Sequence, residues 1–373
     1  MNRALLLIII VLLLRILSDN SGMRGNSLLN TPKNKVNKVE AFNSQCSQLT
    51  SEQQEEEIIK ASINRWAKKT VIRSTPMVET NCLNISQHQD LLYSQLKIVK
   101  PRYQVKKQIV IAIIDTGIDY NNPNLSERIF RPEGWDLPLD FKGFDLVHQD
   151  FFPMDKEGHG THVSGIIAGL FPEAKILPIK FYESSQVRAS LGEAIKIAVH
   201  MGAHIINISG GGYGEDPLEE EAIQFAKEKG VLIVSAAGND TKNMNNSGNE
   251  YFPAAYNSDN ILSVMANDDN GFIAPYSNFG TKHTDISALG TIYSYLPSSV
   301  SPTCNGFMSG TSQATPVITA TAAMLWASYP DLKYTEVKDL VLKGADKSIL
   351  LIAANKSQGT VNIDRTISGQ MQK

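Results

Sequence analysis

The segment IVIAIIDTG, residues 109–117, is the most informative part of the sequence about the fold. An unbroken run of mostly β-branched apolar residues is typical of a strand that is covered on both faces, as in a parallel sheet. The run ends at Asp115, and Thr116-Gly117 then permit a sharp exit from the strand. A carboxylate at the end of so apolar a strand is costly unless it has a partner. This stretch therefore predicts both a buried strand and a polar site at its end.

Similar apolar runs recur along the chain, with helical segments between several of them. The runs are AKILPIKFY (174–182), AHIINISGGG (203–212), GVLIVSAAGND (230–240) and NILSVMA (260–266). The clearest helix is DPLEEEAIQFAKEKG, with Asp216 as the N-cap and Gly230 as the stop. Strands that alternate with helices predict right-handed crossovers. We expect an α/β fold with three layers, in which a doubly wound, mostly parallel sheet carries helices on both faces.

Composition and the N-terminus limit the class of protein. The 373 residues carry a net charge of −3 and contain no run of Lys or Arg, which disfavours nucleic acid as a partner. Arg3 precedes eleven apolar residues, Ala4 to Leu14, and this run is short for a membrane span but suits a signal peptide. Residues 1–20 are predicted to be a signal peptide or, alternatively, an uncleaved N-terminal anchor. We therefore expect a secreted or extracytoplasmic protein that contacts a membrane only through such an anchor.

The rest of the chain divides into an extension, a main domain and a tail. Residues 21–84 are predicted to be an N-terminal extension, either a cleaved propeptide or a permanent arm, with a helix over 50–69 and a capping box at Ser51 and Gln54. Residues 85–368 form the main domain, and residues 369–373 form a tail.

The chain has three cysteines, and none of their spacings suits a zinc site. In an exported protein, Cys46 and Cys82 are the natural disulfide pair because they share the N-terminal region, and three isolated thiols are the alternative. Cys304 is expected to be a packed thiol.

Several polar residues follow the predicted strands at their carboxyl ends, where an open parallel sheet places its functional groups. Asp115 ends the first run, residues 209–212 (SGGG) end another, and Asn239 ends a third. These residues come from different parts of the chain, but the sheet would bring them to one edge.

Ser312, in SGTSQATP (309–316), opens an alanine-rich helix and is a candidate nucleophile. A serine hydroxyl needs a base to take its proton, and His159 lies between two glycines at the predicted start of a helix. Asp115 is the acid that would orient this imidazole, whereas His162 is expected to be a structural helix residue. Asn239 and the backbone N–H of Ser312 are candidate donors to an oxyanion.

The residues also carry a family resemblance. The segments AIIDTGID, GHGTHVSGIIAG and GTSQATP resemble the three signature blocks of the subtilisin-like serine proteases, the subtilase family, in the family order Asp, His, Ser. AAGND resembles the block that carries the family's oxyanion asparagine, and INISGGG resembles the edge that binds the substrate backbone. The resemblance spans residues 85–345.

The resemblance implies a serine endopeptidase that forms an acyl-enzyme and acts on polypeptides in an extended conformation. It implies that Asp115 orients the base, that His159 is general base and then acid, and that Ser312 is the nucleophile. It further implies that Asn239 holds the oxyanion and that the substrate-binding edge consists of Ser209, Gly210 and Gly211. We expect a monomer.

Some positions depart from the family pattern. Gln313 replaces the methionine that usually follows the nucleophile, and Asn124 replaces an acid of the family's strong calcium site. The loop that completes this site is also missing, because SGIIAGL runs almost directly into FPEAKILPIK. We therefore expect neither the strong calcium site nor any other cofactor, although weak calcium binding elsewhere stays open.

Two hints about specificity conflict. Asp240, Glu215 and Asp216 favour basic side chains in the substrate, whereas Tyr251 resembles the base of the primary side-chain pocket and would make it shallow if it points inward.

Among other functions, an α/β-hydrolase esterase is disfavoured because GxSxG and the order Ser, acid, His are missing. A catalytically silent or zymogen-like binding protein on the same scaffold is the alternative.

Overall fold

A computed structural model describes residues 50–69, 82–184 and 187–369. The predicted signal peptide and Cys46 lie outside these residues. The chain divides into two units at Ile58, and of the first unit the structure describes only residues 50–58. These residues begin helix α1 (Ser51–Lys69), and its capping box lies one residue earlier than predicted. Thr50 Oγ1 accepts from the Gln53 N–H, and Gln53 Oε1 accepts from the Thr50 N–H.

The second unit begins at Ile59, inside α1, and contains the other described elements. Its further helices are α2 (Ile85–Gln95), α3 (Pro123–Ser126), α4 (His159–Leu170), α5 (Leu191–His200), α6 (Pro217–Glu228), α7 (Thr311–Ser328), α8 (Tyr334–Gly344) and α9 (Ile363–Ser368), with a 3₁₀ turn at Ile349–Leu351. Its strands are β1 (Val110–Asp115), β2 (Phe144–Asp145), β3 (Lys175–Lys180), β4 (Tyr182–Glu183), β5 (Val187–Arg188), β6 (Ile205–Ile208), β7 (Gly212–Tyr213), β8 (Leu232–Ala236), β9 (Tyr251–Phe252), β10 (Ile261–Asn267), β11 (Ile286–Leu289), β12 (Thr291–Tyr295), β13 (Asn305–Ser309), β14 (Asp346–Lys347) and β15 (Gly359–Thr360).

A central sheet organises this unit and confirms the predicted mostly parallel architecture. Nine of the described strands form it, in the order β14-β15-β11-β10-β8-β6-β1-β3-β2. Neighbouring strands are parallel except at the edge pair β14 and β15. The chain runs from β1 to β3 on one side and then returns to β6 on the other. The carboxyl ends of β1 and β6 therefore flank a point where the strand order reverses, which is where such sheets bind ligands.

Strand β1 shows why the sheet is covered on both faces. Ile111 and Ile113 belong to one buried apolar cluster, which also contains residues of α2, α4, α7 and α8. Val110, Ala112 and Ile114 belong to a second cluster, which contains residues of α5 and α6. Successive side chains of a strand point to opposite faces, so an uninterrupted apolar run needs helices on both sides.

The disulfide prediction was wrong, because Cys82 is bonded to Cys304 across 222 residues of sequence. Cys304 follows the turn of the β12–β13 hairpin and is not a free packed thiol. The hairpin brings it to Cys82, with their Cα atoms 5.1 Å apart. Closeness in sequence suggested the wrong partner because the hairpin is distant in the chain but adjacent in space.

Helix α2, which follows Cys82 in the chain, packs against α4. Asn84 caps the helix, and the buried ring of His88 lies with Nε2 3.0 Å from the Gly165 carbonyl oxygen in α4. A Cβ at Gly169 would collide with the side chains of Leu92 and His88, so α2 and α4 approach each other closely. Burial lowers the pKa of His88 to about 4, and the residue is therefore neutral at pH 7.

Candidate active site

The structure places the candidate acid and base in direct contact. Asp115 ends β1 and is 1% exposed, and His159 is the first residue of α4. His159 Nδ1 lies 2.7 Å from Asp115 Oδ1, which also accepts a hydrogen bond from the Thr116 N–H at 2.7 Å. A carboxylate on Nδ1 fixes the imidazole so that Nε2 is the atom that can accept a proton.

The electrostatics of His159 reflect two opposing effects. Burial lowers its pKa, whereas the charge of Asp115 and the hydrogen bond to it raise the pKa. Asp155 and Glu157 also raise the pKa, and the net result is a pKa above the ordinary value. The protonated form of His159, which a general base becomes when it accepts a proton, is thus stabilised.

Asp155 holds the ends of β1 and α4 together, and the sequence reasoning missed it. This buried carboxylate accepts from the Gly158 N–H at 2.8 Å and the Thr161 N–H at 2.8 Å, which caps the start of α4. It also accepts from Thr116 Oγ1 at 3.0 Å, and that hydroxyl in turn accepts from the Gly160 N–H at 2.9 Å. An aspartate four residues before the histidine in DKEGHGT was the available signal.

His162 is structural, as expected. It is fully buried, and its Nε2 lies 3.2 Å from the Gly306 carbonyl oxygen in β13. Burial lowers its pKa to about 3, so it stays neutral and contributes to the packing of α4 against the hairpin.

Ser312 is the second residue of α7 and is 8% exposed. Its Oγ donates a hydrogen bond to the Ser209 carbonyl oxygen at 2.6 Å, at the carboxyl end of β6. Within the described residues His159 Nε2 makes no hydrogen bond. Proton transfer to His159 therefore requires the Ser312 hydroxyl to turn away from Ser209.

A series of hydrogen bonds between buried side chains holds the backbone of Ser312, and it supplies the donor that the proline in α7 lacks. Pro316 is the sixth residue of the helix, and it has no N–H to donate to the Ser312 carbonyl. Ser209 Oγ donates to that carbonyl instead, at 2.9 Å. Asn207 Nδ2 donates to Ser209 Oγ at 3.0 Å, and Thr319 Oγ1 donates to Asn207 Oδ1 at 2.7 Å. Strand β6 is thereby tied to α7 directly beneath the candidate nucleophile.

Asn239 and the start of α7 form a pair of donors. Asn239 Oδ1 accepts from the Thr311 N–H at 2.8 Å and from Thr311 Oγ1 at 3.0 Å, which leaves its Nδ2 as a donor. A Cβ built on Gly310 would lie 3.2 Å from Asn239 Nδ2 and 3.5 Å from the Ser312 nitrogen. Both nitrogens therefore border the same small space, which a side chain at position 310 would fill. The N–H of Ser312 is also one of the first helix donors that lack an intrahelical acceptor.

The remaining predicted residues lie along the same edge. A Cβ on Gly210 would meet nothing within 4 Å, so this part of the edge is open. At Gly211 the side that a Cβ would occupy is filled by β9, because the Phe252 carbonyl and the Tyr251 ring pack against it. Asp216 caps α6 through the Leu218 N–H at 2.9 Å.

The residues present do not fit the calcium site that the resemblance implies. Asn124 Nδ2 donates to the Leu83 carbonyl at 3.0 Å and to Asn122 Oδ1 at 3.2 Å, and the position has no carboxylate. Helix α4 ends at Leu170 and β3 begins at Lys175, which leaves little loop for the oxygen ligands that calcium needs. Across the described ranges, no group of three or more His, Cys, Asp or Glu could hold a metal ion.

Comparison with known proteins identifies the family. The family model described as the subtilase family matches residues 106–364, which is more than half of the chain. This chain belongs to the subtilase family. The matched region of this subtilase contains Asp115, His159, Ser209, Asn239 and Ser312.

Its relatives are proteases of different lengths. The chain is 33% identical over 249 residues to a thermophilic serine proteinase of Bacillus sp. (strain AK1), an alignment that covers 64% of this chain and 56% of the relative. It is 39% identical over 250 residues to a cell wall-associated protease of Bacillus subtilis (strain 168), covering 64% of this chain and 26% of the relative. The subtilase thus spans between about a quarter and just over half of these two relatives.

Solved structures agree with the fold. The chain is similar to the epidermin leader peptide processing serine protease of Staphylococcus aureus, with a TM-score of 0.63 and 21% identity over 81% of this chain and 84% of that one. At this identity the similarity concerns the fold alone. Within the described residues, no helix combines the length and hydropathy needed to cross a membrane.

Proposed function

We propose that this subtilase is a serine endopeptidase in which Asp115, His159 and Ser312 form the catalytic triad. The observation that carries the proposal is the Asp115–His159 hydrogen bond at the same sheet edge as Ser312 and Asn239. Strands β1, β6 and β8 are neighbours in the sheet. Strand β1 ends at Asp115, β6 is followed by Ser209, whose carbonyl accepts from Ser312, and β8 is followed by the segment that leads to Asn239.

The first half of the reaction uses each of these groups. The Ser312 hydroxyl turns from Ser209 to His159 Nε2, which removes its proton as the oxygen attacks the scissile carbonyl carbon. Asp115 stabilises the imidazolium that forms. The imidazolium then gives its proton to the leaving amine, and an acyl-enzyme on Ser312 is left for water to hydrolyse by the reverse sequence.

The developing oxyanion is stabilised by Asn239 Nδ2 and by the Ser312 N–H. Thr311 holds the Asn239 amide in this orientation, and the start of α7 adds favourable potential for negative charge. The substrate is a polypeptide in an extended conformation, which adds as a strand along Ser209, Gly210 and Gly211.

The test compares the full-length wild type with Ser312→Ala and with Ser309→Ala as a matched control. Ser309 is an exposed serine in β13, three residues before Ser312. We expect the wild type and Ser309→Ala to degrade unfolded casein and to be labelled by a fluorophosphonate at Ser312, whereas Ser312→Ala does neither. The reagent should still label Asn239→Ala at Ser312, but the kcat of this variant should be about 10²- to 10³-fold lower than that of the wild type.

A wild-type protein that neither degrades casein nor is labelled at Ser312 refutes the proposal and favours a catalytically silent or zymogen-like binding protein. Equal casein degradation by Ser312→Ala would also refute it, since another nucleophile would then be responsible.

The protein acts outside the cytoplasm, as a monomer and without a calcium requirement. The Cys82–Cys304 disulfide supports export, because such bonds persist in oxidising compartments. The signal-like N-terminus supports it independently. Detection of the protein in the cytoplasmic fraction of its source, with both cysteines reduced, would contradict export.

A further inference from the structure

The site contains an aromatic ring in the space where a substrate side chain must enter. Cleavage places the scissile carbonyl between Ser312 and the Asn239 amide, while the substrate backbone lies along residues 209–211. The side chain next to that carbonyl then points between this edge and the segment that carries Asn239, since side chains alternate along an extended strand.

The Tyr251 ring lies between those two segments. A Cβ on Gly211 would be 2.7 Å from Tyr251 Cε1, and a Cβ on Gly238 would be 2.9 Å from Tyr251 Cγ and Cδ2. The ring thus packs against the bare Cα atoms of glycines on both sides. Any larger residue at either position would displace it, and Gly238 has in addition a φ of 96°.

The backbone around Tyr251 keeps the ring in place. Strand β9 pairs antiparallel with β7, with Tyr251 opposite Tyr213 and Phe252 opposite Gly212. The rings of Tyr213 and Tyr251 meet edge to face, with centroids 5.4 Å apart. Asn278 fixes the opposite wall by accepting from the N–H groups of Asp240 and Lys242.

Asp240, which follows Asn239 in the chain, is engaged by its neighbours. It accepts a hydrogen bond from the Tyr213 hydroxyl at 2.7 Å, and the Lys242 ammonium lies 3.8 Å from the centre of the Tyr213 ring. A basic substrate side chain at this carboxylate would share it with the Tyr213 hydroxyl and would approach the Lys242 ammonium, a charge of the same sign. Asp216, which caps α6, is likewise committed to the fold.

We infer that Tyr251 closes the primary side-chain pocket, so that this enzyme cleaves after small uncharged residues such as alanine, glycine and serine. The inference rests on the proposed function, because it assigns the substrate class of the same site. A phenylalanine side chain before the scissile bond would meet the ring, and an arginine side chain would meet the same ring and approach the Lys242 ammonium.

The test measures second-order labelling rates of the full chain with three peptidyl diphenylphosphonates that differ only in an alanine, phenylalanine or arginine next to the phosphorus. We expect the alanine probe to react at least about tenfold faster than either of the others. In Tyr251→Gly the ratio of phenylalanine to alanine rates should rise about tenfold to 100-fold, because the vacated space can bury the aromatic side chain. Tyr334→Ala, which removes a tyrosine on α8, is the matched control and should leave the ratio unchanged.

The outcomes separate the inference from the proposed function. Failure of a small fluorophosphonate to label Ser312 refutes the function and with it the inference. Labelling by that reagent, together with a phenylalanine or arginine probe at least as fast as the alanine probe, refutes the inference alone. An unchanged ratio in Tyr251→Gly would also overturn it, and labelling of this variant by the small reagent shows that its site is folded.

Discussion

The polar chain beneath Ser312 allows a thermodynamic prediction that depends on one missing N–H group. Pro316 cannot donate to the Ser312 carbonyl, and Ser209 Oγ replaces that donor. Ser209→Ala removes the replacement and also leaves Asn207 Nδ2 without its acceptor. Each buried polar group left unsatisfied costs about 1–3 kcal/mol, and two groups are affected, so we expect the free energy of unfolding to fall by about 2–6 kcal/mol.

Pro316→Ala should rescue part of this loss. Alanine at position 316 restores a main-chain N–H that can reach the Ser312 carbonyl four residues earlier. In the Pro316→Ala background, Ser209→Ala should therefore cost about 1–2 kcal/mol less than it does alone. The two changes should couple although the two residues are far apart in the sequence.

Equilibrium denaturation in urea with the disulfide intact measures the coupling. All proteins carry Ser312→Ala, which prevents self-digestion and keeps the main-chain carbonyl. Pro330→Ala, a proline beyond the end of α7, is the matched control and should be additive with Ser209→Ala. Additivity of Ser209→Ala with Pro316→Ala to within about 0.5 kcal/mol would refute the proposed exchange of donors.

Three further outcomes are expected. The pKa of His159 lies above its ordinary value, and only the neutral imidazole accepts a proton, so kcat/KM should fall as the pH drops through this raised pKa. Asp115→Asn should move the acidic limb of the pH profile to lower pH, and an unmoved limb would contradict the assignment. Cys82→Ser should lower the free energy of unfolding by about 5 kcal/mol in the chain-entropy model and abolish any further effect of a reductant, whereas a continued effect would point to another disulfide. Millimolar calcium should leave the melting temperature unchanged relative to a chelator, and a large rise would show a calcium site that the residues around Asn124 do not suggest.

Much of the fold was predictable because it depends on local pattern. The apolar run that ends at Asp115 required a strand covered on both faces, and alternating strands and helices required parallel crossovers. Caps such as Asp216 marked helix ends through chemistry that acts within a few residues. The signature blocks around Asp115, His159 and Ser312 also fall at strand and helix ends for local reasons.

Local sequence patterns were sufficient to predict the main strands and helices of the domain and the polar residues that gather at the carboxyl edge of the sheet. Contacts between distant groups depend on tertiary packing: Cys82 with Cys304, Ser209 with the carbonyl left free by Pro316, and Asp155 with Thr116. Tertiary packing also places the Tyr251 ring between two glycines. Periodicity and capping depend on neighbours within a few residues, whereas these contacts depend on how β6, β9 and the β12–β13 hairpin pack, and no local pattern encodes that arrangement.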